Sequence, residues 1–544
     1  MVLMAVLVCP ASAQNNNTKD DFFSKHSKGF GKAREEMYKD FNDFRKKAYE
    51  EYTEFVRNAW KDFNKEPARP MPKEEEVKPM IAAGADEKTA SFFGKLFGVG
   101  SGKRERTSPK PAVKKENKKG EVFEVQNVIQ PAPKFEQPQP LSEVKQVTSS
   151  IPNPYMEFRV FGTTCKVRIG ENCRFKVRSV EPDDVADAME KFTKPQFDNM
   201  LYDCLQERKK HNFADWAYYQ MLIQLTDKFY GKDTNEGMLA RAFLYSQSGY
   251  KMRLAQDGSK IHMLVASRHH IFGKEYFYID GEAFYLLEGK GAAKMSICEA
   301  KFPKESSLSL QMTAVQELSA DFAPQRTIES LKNPEFSFTI KSNKNYIDFY
   351  QTYPSSSVND NFMTRWAMYA NTPLEKGIAD QLYPQMKAKL EGRSQLDAVS
   401  QLLWWVQGTL WSAENPIENC MLYRYDEEVW GYDRAFFGEE TLFYPYCDCE
   451  DRSILLSHLV RDLVGLDVVL VYYPGHLAMA VNFTDNVEGD CIMYDNRKFV
   501  VCDPTYIGAD VGETMPNMKG LKTTVILLDR SSVINIYLII YIRQ

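Results

Sequence analysis

The sequence predicts a multidomain α+β protein, and three observations carry that reading. The chain has 544 residues, a prior of about three to four domains. Apolar residues make up 43%, charged 26% and aromatic 13%, enough to bury large cores and unlike a disordered or collagen-like chain. Runs with helical periodicity are followed by blocks with strand character. Net charge is −5, which excludes a generally basic nucleic-acid-binding surface. No apolar run reaches the about 18 residues that a transmembrane helix needs.

Residues 1–13 read as a signal peptide. A short apolar run ends in Ala11-Ser12-Ala13, followed by Gln14, which is an A-x-A cleavage pattern. The basic segment that usually precedes such a run is missing, and a floppy apolar N-terminus is the alternative. The expected location is therefore outside the cytoplasm, periplasmic or secreted. Of ten cysteines, Cys165 and Cys173 flank a turn-like Ile169-Gly170-Glu171-Asn172, which allows a cross-strand disulfide. No C-x-x-C pair or histidine cluster has zinc spacing, so neither a metal nor a cofactor is expected. His269-His270 is no exception, because adjacent strand residues point to opposite faces.

Residues 14–66 are read as an amphipathic helix. Phe30, Met37, Phe41, Phe44, Ala48, Tyr52, Phe55, Ala59 and Phe63 recur at steps of three and four, lining one face. That face serves either the protein's own core or a partner. Residues 67–150 are read as a Pro/Lys-rich linker. Between Ser101 and Gly120 it carries eight basic and two acidic residues, a solvated composition.

Folded character begins near 151. An α+β domain is expected over 151–310, with strands at 157–168 and 173–179, helices at 183–208, 214–230 and 235–247, then strands over 250–310. A β-rich connector follows over 311–374, with strand signals at 333–351. The next domain, 375–530, opens with helices at 375–391 and 394–411. After a loop-rich aromatic stretch at 412–446 comes a helix at 449–464. Strands follow near 467–472, 477–483, 490–494 and 498–503. The apolar tail, 531–544, contains a ten-residue run too short to span a bilayer.

The chemistry-bearing stretch is Tyr444-Pro445-Tyr446-Cys447-Asp448-Cys449-Glu450-Asp451-Arg452-Ser453. Asp448 is a good N-cap, so Cys449 falls at a helix start. There the helix dipole and free N–H groups favour a thiolate, the form that attacks a carbonyl carbon. Such a nucleophile needs a base and a group that orients the base. His476 lies in Pro474-Gly475-His476-Leu477, a turn entering a strand. Asp503 lies in Cys502-Asp503-Pro504-Thr505, at the end of the next long strand. His458, nine residues along the same helix, lies on its opposite face about 13 Å away and reads as structural. Cys447 reads as either a resolving thiol or a packed cysteine.

These residues resemble the transglutaminase-like superfamily, papain-like thiol enzymes of the bacterial type. Cys449, Asp451, Ser453, Arg461, Gly465, His476 and Asp503-Pro504-Thr505 follow that family's order and spacing. Two positions depart from it: Cys447 replaces a glycine, and Leu477-Ala478 follows the histidine where the family has an aromatic. The resemblance, which covers about 375–530, implies a papain/transglutaminase-like domain. In it Cys449 is the nucleophile, His476 the general base and acid, and Asp503 the orienter. It implies acyl transfer on an amide of a protein, peptide or cell-wall peptide. Water as acceptor makes this a peptidase or amidase, and an amine makes it a crosslinking enzyme. N–H groups at the helix start would meet oxyanion charge, with Gln407 as a candidate partner. A catalytically silent peptide- or glycan-binding envelope protein is the alternative.

Residues 214–290 read as a degenerate copy of the same unit. Gly249 aligned with Gly465 sets an offset of 216. That offset puts Asp233 in the nucleophile's place, Ile261-His262-Met263 near the His476 segment, and Glu288 near the acidic position. An unrelated α+β domain is the other reading.

Overall fold

The protein is described by a computed structural model. It covers residues 120–291, 294–298, 304–330, 332–358, 361–408 and 434–529, with the backbone of three short strands at 63–67, 80–81 and 422–423. Helix accounts for 33% and strand for 26%, grouped in sheets whose neighbouring strands are mostly antiparallel, so the fold is α+β. No helix among the described residues is long and apolar enough to cross a membrane.

In the N-terminal part, β1 (Phe63–Pro67) and β2 (Met80–Ile81) are short pieces, followed by β3 (Val122–Phe123) and β4 (Val125–Ile129). Two expectations are corrected here. Residues 63–66, placed in the amphipathic helix, lie in β1, which pairs with a strand near Cys298; residues 14–62 lie outside the described residues. The segment 67–150 is more than a linker, because β2, β3 and β4 all pair with strands of the C-terminal half. The alternation of Phe123, Val125 and Val128 against that half's core is the physical reason. The tail 531–544 and the signal-peptide region also lie outside the described residues.

Next comes a hairpin, β5 (Tyr155–Val160) and β6 (Thr163–Arg168), turned at Phe161-Gly162. Residues 173–179, expected as a strand, are irregular, and Glu171–Cys173 is a single 3₁₀ turn. Cys165 and Cys173 are both buried and unbridged. Cys173 instead donates to the Gln196 carbonyl at 2.9 Å.

The first unit is built from α1 (Pro182–Lys191), α2 (Met200–Lys210), α3 (Asp215–Tyr230) and α4 (Asn235–Gln247). Its strands are β7 (Met252–Asp257), β8 (Lys260–Ala266), β9 (His269–Ile271), β10 (Tyr276–Ile279), β11 (Glu282–Leu286) and β12 (Lys294–Cys298). The sheet runs β1-β12-β7-β8-β11-β10. α4 packs across β7 and β8.

The connector contains β13 (Arg326–Glu329), β14 (Ser337–Ile340), α5 (Lys344–Gln351), β15 (Ser356–Val358) and α6 (Thr364–Asn371). It is mixed rather than β-rich. Within 344–351, Tyr346, Ile347, Phe349 and Tyr350 are spaced for one helix face, and all four are buried.

The second unit opens with α7 (Lys376–Leu390) and α8 (Gln395–Val406). Then come β16 (Leu422–Tyr423), α9 (Gly438–Phe443), β17 (Tyr446–Cys447) and α10 (Cys449–Leu459), which ends in a π turn over Val460–Val464. Gly465 closes that turn at φ 75°, a left-handed conformation that suits glycine. Its strands are β18 (Asp467–Tyr473), β19 (His476–Asn482), β20 (Cys491–Tyr494), β21 (Arg497–Cys502), β22 (Tyr506–Ile507) and β23 (Thr523–Leu527). The sheet runs β3-β20-β21-β19-β18-β23-β4, and α10 packs across β18 and β19. The loop-rich expectation for 412–446 fails where the chain is described, since α9 and β17 fall within it.

The two units share one strand order. β12-β7-β8-β11-β10 corresponds to β23-β18-β19-β21-β20, with every pair antiparallel. The registers agree as well. The hairpin-closing pair Asp257↔Lys260 corresponds to Tyr473↔His476, and Ile279↔Glu282 to Tyr494↔Arg497. Across the hairpins, Leu286↔Leu264 corresponds to Val501↔Ala480. Both units also lay a helix over the same central strands. This is the arrangement a duplication requires.

Candidate active site

Cys449 is the first residue of α10. Asp448 is the N-cap residue, and Asp451, three residues on, turns back to it: Asp451 Oδ2 accepts the Asp448 N–H at 3.1 Å. Asp451 Oδ1 also accepts the Phe436 N–H at 2.7 Å, tying the helix start to the segment before α9. Ser453, one turn on, donates to the Leu477 carbonyl at 3.1 Å. The Leu477 N–H in turn reaches the Cys449 sulfur. Both polar groups of Leu477 therefore hold α10 against the start of β19, one residue from His476.

His476 and Asp503 meet: His476 Nε2 lies 2.8 Å from Asp503 Oδ2. Both are buried, at 1% and 0% exposure. Asp503 Oδ1 accepts the N–H groups of Thr505 at 2.9 Å and Tyr506 at 3.1 Å, an Asx turn that fixes the carboxylate. An Nε2–H donating to the Asp503 carboxylate leaves Nδ1 as the lone-pair atom of the neutral ring. His476 Nδ1 is buried without a hydrogen-bond partner. Across the hairpin turn, the Tyr473 ring lies 6.2 Å from the imidazole at 24°.

The thiol's state departs from the sequence expectation. Burial, then the Glu450 and Asp448 carboxylates, push the Cys449 thiol well above its ordinary range, against the Leu477 N–H. Cys449 Sγ donates to Glu450 Oε2 at 3.1 Å. Desolvation outweighs the helix dipole here and favours the thiol over the thiolate.

Gln407 is also corrected. Its Nε2 donates toward the carbonyls of Asp503 at 3.3 Å, Tyr506 at 3.2 Å and Ala509 at 3.0 Å, and its Oε1 accepts the Gly508 N–H at 3.2 Å. The amide is consumed in holding the loop that carries Asp503, so it is not an oxyanion donor. Arg452 completes that staple from α10, donating to the Gln407 carbonyl at 2.8 Å, the Pro504 carbonyl at 3.3 Å and Cys447 Sγ at 3.2 Å. Cys447 is thus a packed acceptor with no bridge to Cys449. His458 is buried, and burial together with the Arg461 charge lowers it to about 3. Arg461 ties the helix end to the carbonyls of Ala370, Ser457 and Asp529.

Sequence reasoning missed an acidic layer behind α10. Burial raises Glu439 to about 8 and Glu440 to about 7, the latter despite its pair with Arg434. A carboxyl whose folded pKa lies above its unfolded value favours folding below the unfolded pKa, and that stability is lost as pH rises through the folded pKa. Glu439→Gln keeps the oxygen that accepts the Glu375 N–H. It is expected to be neutral near pH 4 and to stabilise by a few kcal/mol, to order of magnitude, near pH 8. Denaturant midpoints at the two pH values check this.

The corresponding positions of the first unit have no thiol. Anchored on the caps, Thr234 matches Asp448 and Asn235 matches Cys449; Thr234 accepts the Gly237 N–H. Asn235 Oδ1 accepts the Ile261 N–H at 3.0 Å, the counterpart of the Leu477 N–H on sulfur. This corrects Asp233 as the equivalent position, because the π turn lengthens α10 relative to α4. Lys260, not His262, takes the His476 register. Glu288 does take the acidic place, bonded to Tyr219 at 2.6 Å and paired with Arg241. Asn235→Cys alone is therefore expected to create no acyl-transfer activity, checked by turnover in a Cys449→Ala background.

No family model matches the chain, and no curated protein or solved structure is significantly similar to it.

Proposed function

We propose that the 375–530 unit is a transglutaminase-like thiol enzyme with a papain/transglutaminase-like fold, acting outside the cytoplasm on amide bonds of a protein, peptide or cell-wall peptide. The observation that carries this reading is the His476–Asp503 pair at 2.8 Å, which leaves Nδ1 over, together with Cys449 at the start of a helix that Leu477 ties to the strand of His476. The sulfur attacks the amide carbonyl while Nδ1 takes its proton. Protonated His476 then returns that proton to the leaving amine, and the thioester passes its acyl group to water or to an amine. N–H groups at the α10 start face the developing oxyanion.

The test is a substrate-profiling screen of peptide amides, with and without an amine acceptor, comparing wild type with Cys449→Ala. A thioester of Cys449 seen by intact mass supports the reading; identical profiles for the two proteins reject it. Alkylation adds a pH signature. Alkylation of Cys449 is expected at a rate that climbs with pH past neutral, because its thiol lies above the ordinary range. His476→Ala should slow that labelling.

A binding role suits the first unit. A cavity of about 280 Å³ lies where the second unit has its thiol, lined by Asn235, Lys260, His262 and Glu288. With no nucleophile at this position, it serves recognition rather than chemistry.

A further inference from the structure

We infer that Cys165, Glu207 and His211 form a zinc site joining the β5–β6 hairpin to the C-terminal end of α2. Cys165 points inward from β6, and Glu207 and His211 lie one turn apart on the facing helix. Their ligand atoms, Sγ, a carboxylate oxygen and an imidazole nitrogen, all fall within 4.8 Å of one another. His211 Nε2 and Glu207 Oε2 are 3.2 Å apart. Zinc bonds of about 2.0–2.1 Å to nitrogen and oxygen, and about 2.3 Å to sulfur, put tetrahedral ligand atoms about 3.3–3.6 Å apart. The nitrogen–oxygen edge is already close to that length, and the sulfur lies within 4.8 Å of both other ligand atoms.

The surroundings suit a cation. Cys165 is fully buried and the Glu207 and His211 side chains are 11% and 13% exposed, so the donors are held by packing. The His211 ring stacks on Phe213 at 5.4 Å, and its carbonyl accepts the Glu317 N–H at 2.9 Å. The carbonyl end of α2 carries the negative end of the helix dipole. Lys210 Nζ, 3.3 Å from Glu207 Oε2, occupies the cation's place from a side chain 56% exposed, which swings into water at little cost. A thiolate, an imidazole and a carboxylate together favour zinc over magnesium or calcium. On binding, the Cys165 thiol gives its proton to solvent and a sulfur–zinc bond forms, with no change of oxidation state. Water fills the fourth position. The ligands come from a strand and from a helix later in the chain, which is why no spacing motif announces them.

The experiment uses the full chain carrying Cys449→Ala. That change removes the thiol of Asp448-Cys449-Glu450, the other cluster of potential ligands among the described residues. The protein is stripped with chelator, given zinc chloride, desalted and assayed for metal. It is expected to keep a single equivalent and to melt at a higher temperature than in chelator. Cobalt in place of zinc should give a thiolate-to-metal charge-transfer band. Adding Cys165→Ser should abolish the band and the retained zinc, and His211→Gln should weaken binding at least tenfold. Both variants should melt like the parent in chelator. His211→Gln, at the partly exposed rim, keeps the test readable if Cys165→Ser does not fold. Loss of all metal on desalting, cobalt bound without the band, or retention unchanged by His211→Gln would each overturn the site.

Discussion

Cys449→Ala is expected to abolish acyl transfer while leaving the fold intact. The residue is small, and its loss removes a thiol bond to Glu450 and the acceptor of the Leu477 N–H, a stability cost of about 1–2 kcal/mol. The cap that starts α10 belongs to Asp448 and Asp451 and is untouched. His476→Ala should cost about 10²–10⁴ in rate, the usual worth of a positioned proton carrier. Asp503→Asn is subtler. Its oxygen can still accept the Thr505 and Tyr506 N–H groups, but its NH₂ would face His476 Nε2. The ring proton would then move to Nδ1, the atom that must receive the thiol's proton. Activity should fall at most as far as with His476→Ala. Cys447→Ser should keep most activity, because a hydroxyl can accept from Arg452 as the sulfur does. Turnover and thermal unfolding of the same samples check these outcomes. A dead Cys447→Ser beside an active Cys449→Ala would identify the other thiol.

The three candidate residues were legible because each sits at a boundary with a local signature. A capping aspartate marks the start of α10, Pro474-Gly475 turns the chain into β19, and Asp503-Pro504-Thr505 is a turn in its own right. The helices of the first unit were legible for the same reason, since α3 and α4 begin and end where periodicity and caps place them. Its register was not. The π turn at Val460–Val464 inserts length with no change in hydrophobic pattern, so aligning the glycines misplaced the first unit's equivalent of Cys449. The edge strands β3 and β4 were also missed. They are short, and they owe their structure to partners more than three hundred residues later. The thiol's protonation state escaped for an energetic reason. The sequence shows the helix start, but the burial that overrides its dipole exists only in the packed molecule.

Gln407 shows the same limit and carries the largest expected stability effect. Gln407→Leu preserves volume but leaves the carbonyls of Asp503, Tyr506 and Ala509 and the Gly508 N–H without this partner, in a fully buried place. Each stranded group costs about 1–3 kcal/mol and the costs are not additive, so a loss of about 3–5 kcal/mol is expected. The loop from Asp503 to Ala509 should loosen, and faster hydrogen exchange at the Gly508 amide would report it. Activity should fall with it, since Asp503 holds His476 in register. The combination separates two roles for this side chain. An oxyanion donor would lose rate with little change in the denaturant midpoint; a staple loses both, and the midpoint shift should be the larger signal. Rate loss without destabilisation would return Gln407 to the oxyanion and displace the loop-holding role derived from its four bonds.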